Sequence, residues 1–385
     1  MSSLPAIVAG ISLTIWIVLT FFRASFWHVR AFDGDGPSDE SLSNWPRVVT
    51  VVPARNEAET IERCVTSLVS QDYDGELKFI VVDDHSEDRT SALATNSAGS
   101  SARARAVTIL QAAALQPGWT GKLWALQQGI AGAESSQPEY YWLTDADIVH
   151  APDTLRRLVA RAEKQRLDLV SLMVLLQAKT IPEKLLIPAF LYFFLMLYPP
   201  KWIGDRNSKT AGAAGGCILV RRNALERIGG ISAIRAEVID DCALARAVKR
   251  SDGAIWMGLT RKSVSIRSYA SFGEIRDLIA RTAFTQLNYS AFVLLGTIAG
   301  MLVTYVAPVV FLFHTAPVVE RAGFAAWALM TVSYLPTVRF YGLSPLWAPL
   351  LPVAAIFYSY ATVLSAVCYW MGRGGQWKGR VQAKL

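Results

Sequence analysis

Cysteine and histidine are scarce in this chain, four of each among 385 residues. Cys64, Cys217, Cys242 and Cys368 stand far apart with no C-x-x-C pair, so neither a disulfide framework nor a zinc site is supported. No G-x-G-x-x-G follows the first strand-like run, and AGAAGG at Ala211 to Gly216 lacks that spacing, which disfavours an NAD-binding oxidoreductase. The net charge is +7, yet no basic stripe is interleaved with stacking aromatics. Nucleic acid is therefore not an expected partner. Several basic residues flank apolar segments, and attraction to anionic lipid headgroups explains the excess more simply. No internal repeat or low-complexity tract is present.

Charge is missing altogether from four long stretches. Leu4 to Phe22 has none, and at about 1.5 Å rise per residue it reaches across a hydrocarbon core. No basic n-region precedes it and FRASFW offers no small-residue cleavage site, so an uncleaved anchor is expected over a signal peptide. Arg23 and Arg30 follow, which puts the next domain in the cytoplasm by the positive-inside rule. Ser290 to Val319, Ala322 to Val338 and Phe340 to Gly372 also lack Asp, Glu, Lys and Arg. The outer two are long enough to span; the middle one is marginal and broken by Pro336. Three full spans would carry the basic tail GRGGQWKGRVQAKL outside, so one of the three is expected to be re-entrant, interfacial or a half-span.

With 52% hydrophobic residues and mean hydropathy +0.29, the whole reads as a soluble domain with membrane anchors. The expected order is an anchor over 1–26, a polar Gly- and Pro-containing linker over 27–45, a cytoplasmic α/β domain over 46–271, an amphipathic interfacial helix over 272–289, a transmembrane region over 290–372 and a basic cytoplasmic tail over 373–385. Within the α/β domain, RVVTVVP (Arg47 to Pro53) and LKFIVV (Leu77 to Val82) are strands, and Ile61, Cys64, Val65, Leu68 and Val69 form one face of a helix between them. Further strands are expected at Tyr140 to Leu143 and Leu167 to Val174. Continuous apolar strands suit a parallel sheet, whose ligands bind at the strands' carboxyl ends. Leu185 to Pro200 is apolar on every side and interrupted by Pro188; it is either a buried helix or an interfacial one. From Phe272 to Leu287, residues Phe272, Ile275, Leu278, Ile279, Ala283 and Leu287 share a face, as in a helix lying flat among headgroups.

Three acidic clusters carry the chemistry. Asp83-Asp84 follows a strand, where a turn former or cap is the ordinary explanation, with Ser86 and Asp88 able to cap the next helix. Asp145-Ala146-Asp147 follows another; two carboxylates so spaced can meet a divalent cation and a sugar nucleotide, or simply form an Asx turn before a helix begun by Pro152 with Asp153 in its first turn. Asp240-Asp241 opens a helix, and capping accounts for one of the two, the first being the expected cap.

In order, VVPARNEAETIERCVTSL, VVDDHSEDRT, TGKLWALQQG, LTDADI, AGAAGGCILVRR and EVIDDCALAR resemble the inverting family-2 glycosyltransferases of the GT-A fold over about 200 residues. YYWLTDADI and GRGGQWKGR look most similar to the membrane-bound hopanoid-associated glycosyltransferases, related to the ceramide glucosyltransferase type. The resemblance implies a Rossmann-like, mostly parallel α/β GT-A catalytic domain with N- and C-terminal transmembrane helices, integral to a bacterial inner membrane. It implies that Ala54 and Glu57 hold the uridine, that Asp84 accepts from the uracil ring, and that Lys122 approaches the donor. Asp145 would face the ribose and Asp147 would bind Mg²⁺ or Mn²⁺ through the diphosphate. Asp241, or else Asp240, would be the general base, and Gly215, Gly216 and Cys217 would border the acceptor. Arg281 is followed by Thr282, where processive synthases of the wider family carry Q-x-x-R-W, which favours one sugar per acceptor over polymer threading.

The expected function is transfer of a sugar from a nucleotide-sugar, a UDP-sugar foremost, to the hydroxyl of a membrane lipid such as a hopanoid. A polyprenyl-phosphate sugar transferase is the alternative enzyme, to be favoured by a basic pocket near Lys201, Arg206 and Lys209. A catalytically silent nucleotide-binding membrane scaffold is the alternative of another class, against which the intact acids argue.

Overall fold

A computed structural model describes residues 3–32, 42–98, 107–374, 376–377 and 380–381. The linker read over 27–45 and the basic tail fall partly outside these residues. The chain forms two compact units. One comprises 1–30, 177–201 and 268–375, the other 31–176 and 202–267 with the tail from 376.

The second unit is built on an eight-stranded sheet. In chain order its strands are β1 (Val48–Ala54), β2 (Leu77–Asp83), β3 (Val107–Gln111), β4 (Tyr140–Leu143), β5 (Ile148–His150), β6 (Leu169–Leu175), β7 (Ile218–Arg221) and β8 (Ile255–Ser265). Across the sheet they run β3-β2-β1-β4-β7-β6-β8-β5. β3, β2, β1 and β4 are parallel, as are β6 and β8; β7 runs antiparallel to β4 and β6, and β5 to β8. β1 is buried along its whole length, which explains the unbroken VVTVVPA run where a half-exposed strand would alternate. The helix Ile61–Val69 buries Ile61, Cys64, Val65, Leu68 and Val69, the face that the spacing predicts. The helix Gly121–Ala133 lies close on the sheet because Gly129 has no side chain; a Cβ there would come within 2.4 Å of Val51.

β3, β5, β7 and β8 are not anticipated by the pattern reading. β5 and β7 are only three and four residues long, too short for periodicity to register. Asp153 occupies the N-cap position of the helix Thr154–Gln165 rather than its first turn.

The other unit is helical. Among the described residues, three helices are long and apolar enough to cross a membrane: Leu4–Phe22, Ala291–Phe311 and Pro345–Trp370. The apolar stretch from Ser290 therefore ends as helix at Phe311, short of Val319. The next helix, Pro317–Phe340, carries Pro336 in its interior and continues through it; Pro336 does not break it. Pro188 likewise sits inside the continuous helix Ile181–Leu197, started by a capping box between Thr180 and Glu183. That helix buries Leu186, Ile187, Leu191, Tyr192 and Leu195 and packs against Pro317–Phe340 and Leu351–Trp370, so it is a buried helix. The unit that holds the sheet is thus discontinuous, where the sequence suggests an unbroken domain over 46–271.

The flat helix expected from Phe272 to Leu287 is two helices, Phe272–Ala280 and Ala283–Gln286. Both pack on Leu351–Trp370, and Ile275, Ile279 and Phe284 are buried there. Ile275 and Ile279 are covered by protein and so are not a membrane-docking surface, while Phe272 on the same face stays exposed. An amphipathic period reports a buried face without naming what buries it.

Candidate active site

The carboxyl ends of β1 and β4 meet the helices Gly121–Ala133 and Asp240–Arg250 around one recess, lined among others by Lys122, Thr144, Asp145, Gly215, Asp240 and Asp241. Its walls are apolar, from Leu123, Leu126, Leu143, Ile218 and Leu244. Lys122 lies in the first turn of its helix, where the helix dipole disfavours a cation. Two carboxylates offset this: the Lys122 ammonium is 2.8 Å from Asp145 Oδ1 and 3.1 Å from Asp240 Oδ2. Burial pushes the Lys122 pKa down, but Asp145 and Asp240 outweigh it and hold the ammonium well above its ordinary range.

Asp240 and Asp241 both sit in the first turn of the helix Asp240–Arg250, whose N-cap is Ile239. Neither acid is the cap, so the capping expectation for Asp240 is corrected. Asp241 Oδ2 accepts from the Gly215 N–H at 2.9 Å and Oδ1 from the Cys242 N–H at 2.7 Å. Burial, and then the neighbouring Asp240, raise the Asp241 pKa to about 6 against the pull of Lys122. A Cβ at Gly215 would lie 3.2 Å from Lys122 Nζ, 3.5 Å from Asp241 and 3.8 Å from Asp145, so only glycine leaves these charges undisturbed.

The segment around Gly215 is pinned from below. Ser171 Oγ accepts from the Ala214 N–H at 2.8 Å, and Thr144 Oγ1 donates to the Gly216 carbonyl at 2.9 Å. Thr144 also meets His150 Nε2 at 2.9 Å, and His150 Nδ1 meets Ser263 Oγ at 2.8 Å. Burial lowers the His150 pKa to about 3, so the ring is neutral and structural. Gly216 is packed against Val174, and Cys217 is fully buried with the Trp142 indole N–H 3.4 Å from its sulfur. Of the three residues expected to border an acceptor, only Gly215 opens on the recess. Cys217 alternates to the core side of the strand that follows it, and this corrects its assignment.

Asp147 forms a second group. Its carbonyl accepts from Ile266 N–H at 2.9 Å, continuing the β5–β8 ladder, which brings Ser265 and Arg267 alongside its carboxylate. Ser265 Oγ donates to Asp147 Oδ2 at 2.9 Å, and Arg267 Nε approaches the same oxygen at 3.2 Å. Arg267 Nη2 donates to both Glu57 oxygens at 2.7 Å. Burial and then Asp145 raise the Asp147 pKa, with Arg267 opposing. Ser265 and Arg267 are functional candidates that motif reading misses, since nothing marks SIRSY until β8 is paired.

Asp84 is fully buried, its N–H bonded to the Ala54 carbonyl at 2.8 Å, and Ala54 is equally buried. Asp83 is the turn former: it accepts from Ser86 N–H at 3.1 Å and from Gln111 at 3.1 Å. Asp88 accepts from Thr90 N–H at 2.9 Å where the helix Thr90–Ala98 begins.

Among the described residues, no group of three or more His, Cys, Asp and Glu side chains forms a protein-only metal cage. The donor set instead suits Mg²⁺ or Mn²⁺ shared with a diphosphate, which needs only one or two carboxylates from the protein. Two side-chain cations, Lys122 and Arg267, already stand in against Asp145 and Asp147.

The sheet order, the strand-end recess and the acid pairs define a Rossmann-like GT-A domain. Residues 49–229 match the model of glycosyl transferase family 2. An N-acetylglucosaminyltransferase of Mesorhizobium japonicum is 30% identical over 154 residues, 40% of this chain and 33% of that protein. An N-acetylglucosaminyltransferase of Rhizobium leguminosarum bv. viciae is 29% identical over 154 residues, 39% of this chain and 34% of that one. The chain spans about a third of the length of these curated relatives. Among solved structures, the mannosyltransferase PcManGT from Pyrobaculum calidifontis, in complex with GDP-Man and Mn²⁺, superposes with a TM-score of 0.59. At 18% identity over 95% of this chain and 98% of that one, the likeness shows a shared fold.

Proposed function

We propose that the protein is an inverting, metal-dependent glycosyltransferase that moves a sugar from a nucleotide-sugar to the hydroxyl of a membrane lipid, a hopanoid being one such acceptor. The observation that carries this reading is the Lys122 ammonium bridging Asp145 and Asp240 beside Asp241, because it joins a strand-end acid of a donor site to a helix carrying a candidate base. Asp241 takes the proton from the acceptor hydroxyl as that oxygen attacks the anomeric carbon, and the nucleoside diphosphate leaves from the opposite face, inverting the configuration. The Gly215 and Cys242 N–H groups orient its carboxylate. Lys122 meets the diphosphate, Glu57 and Asp145 hold the nucleoside, and Asp147 holds the metal. Mg²⁺ or Mn²⁺ bound there supplies positive charge to the diphosphate as negative charge builds on the leaving group. Contact between uracil and Asp84 requires that the turn covering this acid open, since Asp84 is buried.

The lipid acceptor is supported by three helices apolar enough to span. The helix Pro317–Phe340, with Glu320, Arg321 and Arg339 near its ends, is not among them and is the segment proposed to fall short of a full crossing. Two crossings after the catalytic domain then return the basic tail to the cytoplasmic side, in an inner membrane.

The names of the two relatives make nucleotide-activated N-acetylglucosamine the first donor to assay. Membranes containing the protein, given labelled UDP-N-acetylglucosamine and a bacterial lipid extract, should yield a labelled lipid only with Mg²⁺ or Mn²⁺. A product cleaved by mild acid at a phosphodiester would turn the reading to a polyprenyl-phosphate acceptor. Arg206 and Lys209 are exposed side chains and do not favour that acceptor. Nucleotide binding with no transfer across a panel of UDP- and GDP-sugars would leave the scaffold reading.

A further inference from the structure

We propose that Arg267 is a resident cation that occupies the Asp147 carboxylate in the free protein, so that a divalent cation enters this site with the donor diphosphate and not ahead of it. The inference rests on the reading of Asp147 as the metal-binding acid.

Arg267 joins two acids that are far apart in sequence. One Nη donates to both oxygens of Glu57 at 2.7 Å while Nε lies 3.2 Å from Asp147 Oδ2. A guanidinium keeps its charge at any working pH, so a metal ion cannot approach that oxygen until Arg267 has moved. The arrangement permits this movement. The side chains of Glu57 and Asp147 are 11% and 14% exposed, against 32% for Arg267, so the guanidinium covers the acids from the solvent side. Ser265 Oγ holds the same Asp147 oxygen and stays behind to orient it.

The site also needs a resident cation. Glu57, Asp145 and Asp147 crowd it with acid, and Asp145 and Glu57 both disfavour ionised Asp147. With Arg267 in place these acids are partly neutralised without metal. A metal alone gains one carboxylate oxygen and displaces a good ion pair. A metal arriving on a diphosphate brings its own anionic ligands, and the complex has a use for the freed guanidinium.

The test is Mn²⁺ binding to the full-length protein in detergent, read as loss of the free Mn²⁺ paramagnetic resonance signal. Without nucleotide, Arg267→Gln should bind Mn²⁺ about tenfold more tightly than wild type, because a like charge has been removed from the site. With saturating UDP the two proteins should come within a few fold of each other. Arg267→Lys, which keeps the charge but cannot fork between two acids, should fall between them and serves if the Gln variant does not fold. Folded Arg267 variants that bind Mn²⁺ no more tightly than wild type without nucleotide would overturn the proposal. Asp147→Asn separates the two readings: if it binds Mn²⁺ with UDP as well as wild type does, the metal assignment itself fails. If Asp147→Asn loses that binding while the Arg267 variants gain nothing, only the resident-cation inference is lost.

Discussion

The two units of this chain solve the burial problem in opposite ways. In the catalytic unit Val51, Val52, Val81 and Trp142 are inside, and charge gathers at strand ends. In the helical unit Phe292 is 89% exposed, Phe313 83% and Leu295 69%, while Trp16, Tyr192, Tyr305 and Tyr334 are buried. The polar tips of its buried aromatics bond inward: Tyr192 Oη to Ser333 Oγ at 2.7 Å, and the Trp16 indole N–H to the Thr304 carbonyl at 2.7 Å. Large apolar side chains turn outward at little cost where the surroundings are apolar, and polar groups turn inward where no water competes for them. The contrast fits one chain folded for two solvents, since three helices of the second unit are long and apolar enough to cross a membrane.

The largest expected effect lies in the catalytic unit. Asp241→Asn should lower kcat by about 10² to 10⁴-fold, the usual contribution of a general base, while calorimetry finds UDP affinity nearly unchanged. Full activity in Asp241→Asn with loss in Asp240→Asn would move the base to Asp240. In the helical unit, Leu295→Arg should cost about 2.5 to 3.5 kcal/mol of insertion, seen as loss of membrane-integrated protein. The same charge added at exposed Thr66 of the catalytic unit should cost less than about 0.5 kcal/mol. Equal tolerance at both positions would break the two-solvent comparison.

The pH dependence comes next. Because Asp241 must be ionised to act, kcat/KM should fall about tenfold per unit below about pH 6. A profile flat down to pH 4.5 argues against this base. The sign for stability is the reverse: the folded state holds the Asp241 proton more tightly than the unfolded chain, so this group's ionisation removes stability as pH rises from 3.8 through about 6. Between pH 4 and 7 the melting temperature of wild type should therefore fall by more than that of Asp241→Asn, whose side chain does not ionise. The smallest effect is expected for Gly215→Ala, whose new methyl presses on Lys122 at 3.2 Å and should reduce kcat/KM by about tenfold or less. An unchanged rate would mean that Lys122 yields freely.

Much of the catalytic unit was legible in the sequence because its central strands are long and apolar and its acids follow them directly. The helix face from Ile61 to Val69 was read residue by residue. The short strands β5 and β7 were not, and with them went the partners that β5–β8 pairing brings to Asp147. Pro188 and Pro336 suggest interruptions in the sequence, yet both helices continue through them, since a proline's cost inside a helix is overridden by tertiary packing.

By itself the sequence determined the sheet's central strands, the positions of the acids at strand and helix ends, and the charge-free lengths that form the three candidate spans, all of which depend on neighbours close along the chain. Tertiary structure alone decided that Lys122 bridges Asp145 and Asp240, that Gly215 rather than Cys217 faces the recess, that Ile275 and Ile279 are covered, and that Arg267 reaches Glu57 from the far end of the domain. Those contacts join residues distant in sequence, and strand register together with helix packing sets which side chain meets which; local periodicity carries no record of either.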